Sequence, residues 1–180
     1  MRLLLSIIFF LNLHFSFSQS TPNKIKSFNS FKSGEKLEYK LQYGFLNASY
    51  ASLTLREDVI NNEKVLRATS IGRTTGLARL FFKVDDTYET FFSFEKVQPL
   101  KSIRDIYEGG YERNAETIYD YNTNTAYFHD KIKNIKKEFE IHPEIQDIIS
   151  TFYYLRKHFD ISSLKPNDLI YVDIFFDQEI

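Results

Sequence analysis

HPEIQDIISTFYYLRKHF, residues His142 to Phe159, is the stretch on which the fold of this chain turns. Ile145, Ile148, Ile149, Phe152, Leu155 and Phe159 recur at spacings of three and four, which predicts one broad apolar stripe on a helix over 143–159. Pro143 suits a first helical turn, where its missing N–H costs nothing. Glu144 and Asp147 place negative charge near the positive helix start, and Arg156, Lys157 and His158 gather near its end. Gln146, Ser150, Tyr153 and Lys157 fall on the other side. An apolar stripe has to be buried, and the only other large apolar surface in the chain is a sheet. The helix is therefore expected to lie across a curved sheet or to close one end of a barrel, with Phe152 packed inward.

Outward from that stretch, the chain reads as strands and turns. Leu37, Tyr39, Leu41 and Tyr43 alternate with Lys36, Glu38, Lys40 and Gln42, the pattern of a half-buried strand. Tyr50 to Ile60 and Lys64 to Gly72 follow around Asn61-Asn62, a hairpin signal because Asn tolerates positive φ. RTTGLARLFF, Arg73 to Phe82, breaks the alternation. Leu77, Leu80 and Phe81 suit one apolar helical turn, either a connection plugging one end of the sheet or a flap over a ligand mouth. Val84 to Phe94 resumes strand character, with Tyr88, Thr90, Phe92 and Phe94 on one face and Phe91 on the other. Further strands are expected at Leu100 to Tyr107, Tyr111 to Tyr121 and Thr125 to His129. A charged tip then spans Asp130 to Lys137, Phe139 and Ile141 alternate up to the helix, and a last strand runs from Leu169 to Phe176. Regularly spaced strands with hairpin turns predict a mostly β fold, an antiparallel meander curled into an open or partial barrel around one helix. The alternative is a two-sheet sandwich with the helix on its edge.

QDIISTFYYLR, with Asp147, Ser150, the aromatic pair Tyr153-Tyr154 and Arg156, resembles the signature of the domain of unknown function 3108 family. FKSGEKLEYKLQYGFLNASYASL, Phe31 to Leu53, resembles that family's opening strand and the small-residue strand after it. The resemblance implies an exported bacterial protein and brings no established activity. It also implies further strands after the final apolar run, so the chain is expected to be a fragment at its C-terminus, with a sheet that lacks closing strands.

Composition supplies the compartment. Met1-Arg2, the apolar run Leu3 to Phe15 and the small residues around Ser16-Phe17-Ser18 read as a signal peptide over 1–18, too short for the ~20 apolar residues of a span. A polar lead-in, 19–33, and one β-rich domain, 34–180, complete the expected organisation. No transmembrane span is expected after cleavage. There is no cysteine, which excludes a lipid-modified N-terminal Cys, disulfides and thiol catalysis. Export without disulfides points to the periplasm or surface of a Gram-negative bacterium. The net charge of −1 lacks the basic excess of a nucleic-acid binder, so no nucleic-acid partner is expected.

No HExxH, GxSxG or phosphate-cradling glycine loop is present, and no cofactor, metal site or catalytic residue is expected. His142 and His158 lie at opposite ends of the expected helix, about 20 Å apart, too far to share a metal. Asp85 and Asp86 are neighbours on a strand and point to opposite faces. Asp147, Ser150, Tyr154 and Arg156 are the motif residues, expected to be structural: Asp147 serving the helix start and Arg156 pairing with a strand carboxylate. Phe91, Phe92, Phe94 and Phe152 are the candidate lining of an apolar ligand site. The function expected first is a non-enzymatic binding or carrier module for an apolar or lipid-like ligand. The alternative is a structural or interaction module of the cell envelope meeting a protein or glycan partner through the Tyr-rich hairpins of Tyr107 to Tyr127. An enzyme working with two carboxylates is a third reading, with no substrate suggested.

Overall fold

A computed structural model describes residues 30–44 and 46–177; the leader and most of the polar lead-in lie outside the described residues. Eight strands follow one another as hairpins: β1 (Lys36–Tyr43), β2 (Leu46–Ile60), β3 (Glu63–Thr74), β4 (Val84–Ser93), β5 (Pro99–Glu108), β6 (Tyr111–Asp120), β7 (Thr125–Asp130) and β8 (Ile135–Glu140). Each pairs antiparallel with its sequence neighbours in one sheet of order β1 to β8. The first and last strands do not meet, so the sheet is an open meander rather than a closed barrel, and the two-sheet sandwich does not form. The turns are where special backbone chemistry is needed. Asn61 (φ 51°), Asn62 (φ 66°), Asn124 (φ 52°) and Gly109 (φ 57°) supply the left-handed conformations that tight hairpins demand.

Register decides which side chains share a face. Leu37, Leu53, Ser70, Tyr88, Arg104, Ala115 and Asp130 are successive cross-strand partners, as are Tyr39, Ala51, Gly72, Asp86, Ile106 and Arg113. A third rung is Leu55, Ala68, Thr90, Ser102, Thr117 and Phe128. Most of the buried apolar residues lie on this inner face, whereas the outer face carries ion pairs such as Lys101–Glu116 at 2.8 Å.

The helix α2 spans Ile148–His158, and its start differs from the sequence expectation. Asp147 is extended and caps it: its carboxylate accepts the Ile149 and Ser150 N–H groups, and the Ser150 hydroxyl accepts the Asp147 N–H. Residues 142–146 therefore lie outside the helix. The buried face is also rotated from the expected stripe. Ser150 and Tyr153 are fully buried, while Ile148 and Phe152 are 42% and 36% exposed. Tyr153 wins the core position because its ring fits between Phe31 (4.9 Å) and Phe92 (5.3 Å), over Leu55, Leu66 and Ala68. Ser150 is buried because its hydroxyl belongs to the cap.

The segment expected as a final strand, Leu169 to Phe176, makes a single parallel bridge between Ile174 and Gln146. Its Phe175 covers a second core of Tyr119, Ala126, Ile141 and Ile145. Phe175 alone serves that cover, Leu169 and Tyr171 staying exposed, and β8 keeps a free edge of exposed, Lys-containing chain. The charged tip is shorter than expected, since β8 already begins at Ile135. The break after β3 is the short helix α1, Gly76–Phe81, which buries none of its residues. No helix among the described residues is long and apolar enough to cross a membrane.

Candidate functional site

Helix α2 crosses the inner face from β4 towards the start of β1, which divides that face into a covered and an open half. At its first turn the Thr90 hydroxyl donates to the Asp147 carboxylate at 2.9 Å. At its last turn both Arg156 Nη atoms donate to Glu35, just before β1, at 2.6 and 2.7 Å. Arg156 also lies over the Phe152 ring at 5.0 Å. Asp147 is the most unusual group here. Burial pushes its carboxyl up to about 6, against the hydrogen bonds from Ser150, Thr90 and Ile149 that favour the charge. Little space is left beneath α2: a cleft between Thr90, Asp147, Phe128 and Phe175 holds about 30 Å³, room for a water molecule or two.

Beside that cleft, β5 and β6 bring two arginines together. Arg113 is 6% exposed. Its guanidinium faces the Phe128 ring at 5.5 Å and its Nε lies 3.9 Å from the buried Asp130 carboxylate. Arg104 faces Phe176 at 4.3 Å and Tyr88 at 5.7 Å. Both donate to one oxygen of Asp177, Arg104 at 3.2 Å. Partial burial opposes the Asp177 charge, but the guanidinium groups of Arg113 and Arg104 outweigh it and hold the carboxyl below its usual range. Across the rung, burial and the neighbouring Glu108 push Asp86 up to about 6, although it accepts the Tyr107 N–H.

The open half lies on β1 to β4, beyond the reach of α2. Its floor is small: Ala51, Ser70 and Gly72, all half-buried. A Cβ placed on Gly72 would meet nothing within 4 Å, so the space above it is empty. Tyr39 (47% exposed) and Leu41 (57%) wall one side, and Tyr88 stands on the other. At the same end of the sheet, α1 presents Leu80 and Phe81, 80% and 87% exposed. Polar ties hold it, among them the paired 2.7 Å bonds from Arg79 to Asp85.

The residues singled out from sequence are distributed around this arrangement. Asp147 and Ser150 form the helix cap, Arg156 ties the helix to Glu35, and Tyr154 packs on His158 at 4.6 Å beside a groove of about 180 Å³ lined by Gln98, Pro143 and Gln146. The four phenylalanines do not line one cavity. Phe92 fills the core with Tyr153; Phe91 is on the outer face beneath Arg67 at 5.2 Å; Phe94 is exposed near Lys157; Phe152 lies on the helix flank against Tyr153. The trough over Gly72 and the Arg104–Arg113 pair were missed. Their signal is the small-residue run of β2 and β3 placed opposite isolated arginines, which only the register brings together. Among the described residues, no group of three or more His, Asp or Glu gathers as a metal site.

Residues 38–180 match the model of the family described as a protein of unknown function, DUF3108. The chain belongs to this family. The match to DUF3108 takes in every strand after the first residues of β1, both helices, the open trough and the arginine pair. No curated protein and no solved structure matches the chain.

Proposed function

We propose that this DUF3108 protein is an exported, non-enzymatic binding module, and that an apolar or lipid-like ligand lies in the open half of its inner face. The observation that carries this reading is the empty space over Gly72, floored by Ala51 and Ser70 and walled by the exposed Tyr39 and Leu41. Sheet faces that serve only as core are covered, so an uncovered trough beside a helix that buries none of its own apolar residues supports a binding role. The space under α2 is not the ligand site, because Tyr153, Phe92 and Leu55 already fill it. The leader-like N-terminus and the absence of cysteine support a periplasmic or cell-surface location.

Native mass spectrometry tests the reading on the full-length protein purified from the periplasm without detergent, before and after organic extraction. The expected result is an excess mass that extraction removes, and its absence from Gly72→Leu, whose side chain enters open space and fills the trough. A bare mass for the wild type refutes it. A second reading, contact with an envelope protein or glycan, is favoured by the outer face of β6 and β7. There Ile118 and Tyr127, both exposed, border a trough of about 590 Å³ with Glu116, His129 and Lys136. Substituting Tyr127 by Ser and repeating an envelope pull-down addresses that surface separately.

A further inference from the structure

We propose that Arg104 and Arg113 form the head-group site for the anionic end of a single-chain amphiphile, a carboxylate or a phosphate monoester, and that Asp177 occupies this site when the ligand is absent. The inference rests on the open-trough reading above and names its ligand class. Three observations carry it.

First, two guanidinium groups share the inner face of adjacent strands, and this is the face that otherwise carries the core. Arg113 is buried, and its Nε has no hydrogen-bond partner. Arg104 is 16% exposed at its side chain, with an Nε that is likewise buried and unpartnered. A buried arginine with unused donors is costly unless an acceptor completes it. Asp130 answers part of the charge of Arg113 at 3.9 Å and nothing of Arg104. Second, the acceptor now in place is not part of the sheet. Asp177 belongs to the segment bridged to Gln146 through Ile174, and its side chain is half exposed while those of Arg104 and Arg113 are 16% and 7% exposed. Its carboxylate marks where an anion sits and how two guanidinium groups converge on it. Phe128 beneath Arg113, and Tyr88 and Phe176 against Arg104, hold the guanidinium planes in position.

Third, the arginines connect to the trough along the register. From Arg104 the rung passes through Tyr88 and Ser70 to Leu53 and Leu37, and the next rung passes from Asp86 through Gly72 and Ala51 to Tyr39. Four strand spacings separate β5 from β1, about 19 Å, the reach of a long acyl chain. Asp86 is the one carboxyl between head and tail on these rungs, with Glu108 beside it. The charge of Asp86 disfavours an anion over β4, which leaves the arginines of β5 and β6 as its seat.

The test is isothermal titration of the full-length mature protein with dodecanoate, dodecyl phosphate and dodecanol. The wild type is expected to bind at least one of the two anions about tenfold more tightly than the alcohol, a single charge-assisted contact's worth. Arg104→Gln is expected to erase that preference, and Asp177→Asn to strengthen anion binding by removing the internal competitor. The stronger of the two anions identifies the head group as carboxylate or phosphate. Asp177 is at the surface, so its variant reports even if Arg104→Gln fails to fold. Binding of both anions no tighter than that of the alcohol, or weaker anion binding by Asp177→Asn, overturns the head-group inference and leaves the apolar trough standing. No binding of any of the three overturns both.

Discussion

The Asp147 carboxyl offers a sharp test of how the helix is anchored. Asp147→Asn keeps the shape of the cap: Oδ1 still accepts from Ile149 at 2.9 Å and Ser150 at 2.7 Å, and the new amide can donate to the Thr90 hydroxyl. What it removes is the charge. The folded carboxyl titrates at about 6 against an ordinary 3.8, so the native state binds the proton more tightly than the unfolded chain does. Stability from this group is therefore fully present below about pH 4 and is lost as pH rises towards 6. Two units correspond to roughly 3 kcal/mol. Other titrating groups, Asp86 among them, cancel when the wild type is compared with the variant at each pH. Urea unfolding at pH 4 and pH 7 should thus show the wild type gaining about 3 kcal/mol relative to Asp147→Asn at the lower pH, about 1.5 M in midpoint for a slope near 2 kcal/mol per M. A flat difference would mean that the capping bonds match burial, and one that grows with pH that they outweigh it, with the carboxylate the favoured buried form.

Three further substitutions probe separate contacts. The Tyr153 hydroxyl is buried without a partner, so Tyr153→Phe should leave urea stability unchanged or raise it by up to about 1 kcal/mol. Tyr153→Ala should cost about 3–5 kcal/mol for the emptied core site. Gly109 has φ 57° and a Cβ there would overlap the Phe82 ring, so Gly109→Ala should lower stability by about 1–2 kcal/mol in thermal melts. Arg156→Lys loses the paired bonds to Glu35 and the contact with Phe152, and should cost about 1–2 kcal/mol by urea unfolding.

Local chemistry made the hairpins legible in the sequence. Asn61-Asn62 and Gly109-Gly110 need left-handed backbone, and period-two alternation marks each strand face, so the meander and its order could be read directly. The helix was legible in existence but not in phase. A hydrophobic count places Ile148 and Phe152 inward. It cannot weigh the hydroxyl of Ser150, which is buried because it bonds its own cap, or a tyrosine whose ring outcompetes a phenylalanine for a particular slot. The Asp-x-x-Ser spacing at 147–150 is a capping signal that would have moved the start to Ile148. The candidate site was not legible at all. Arg104, Arg113, Gly72 and Ala51 are up to 62 residues apart (113 − 51) and meet only through register, which a one-residue slip would reverse.

Sequential pairing of all eight strands has a kinetic consequence. Every strand partner is a sequence neighbour, so each hairpin can close as soon as its second strand is available, without a costly long loop. The core of Leu55, Leu66 and Phe92 is different, because its lid, Tyr153, arrives about sixty residues after Phe92 in the chain. During vectorial synthesis the sheet is thus assembled early with its apolar side bare, and α2 then ties an early part of the fold to a late one through Arg156 and Glu35, 121 positions apart. Pulse-labelled hydrogen exchange should find the β2–β4 amides protected before those of α2. Simultaneous protection would mean that the helix nucleates the sheet instead.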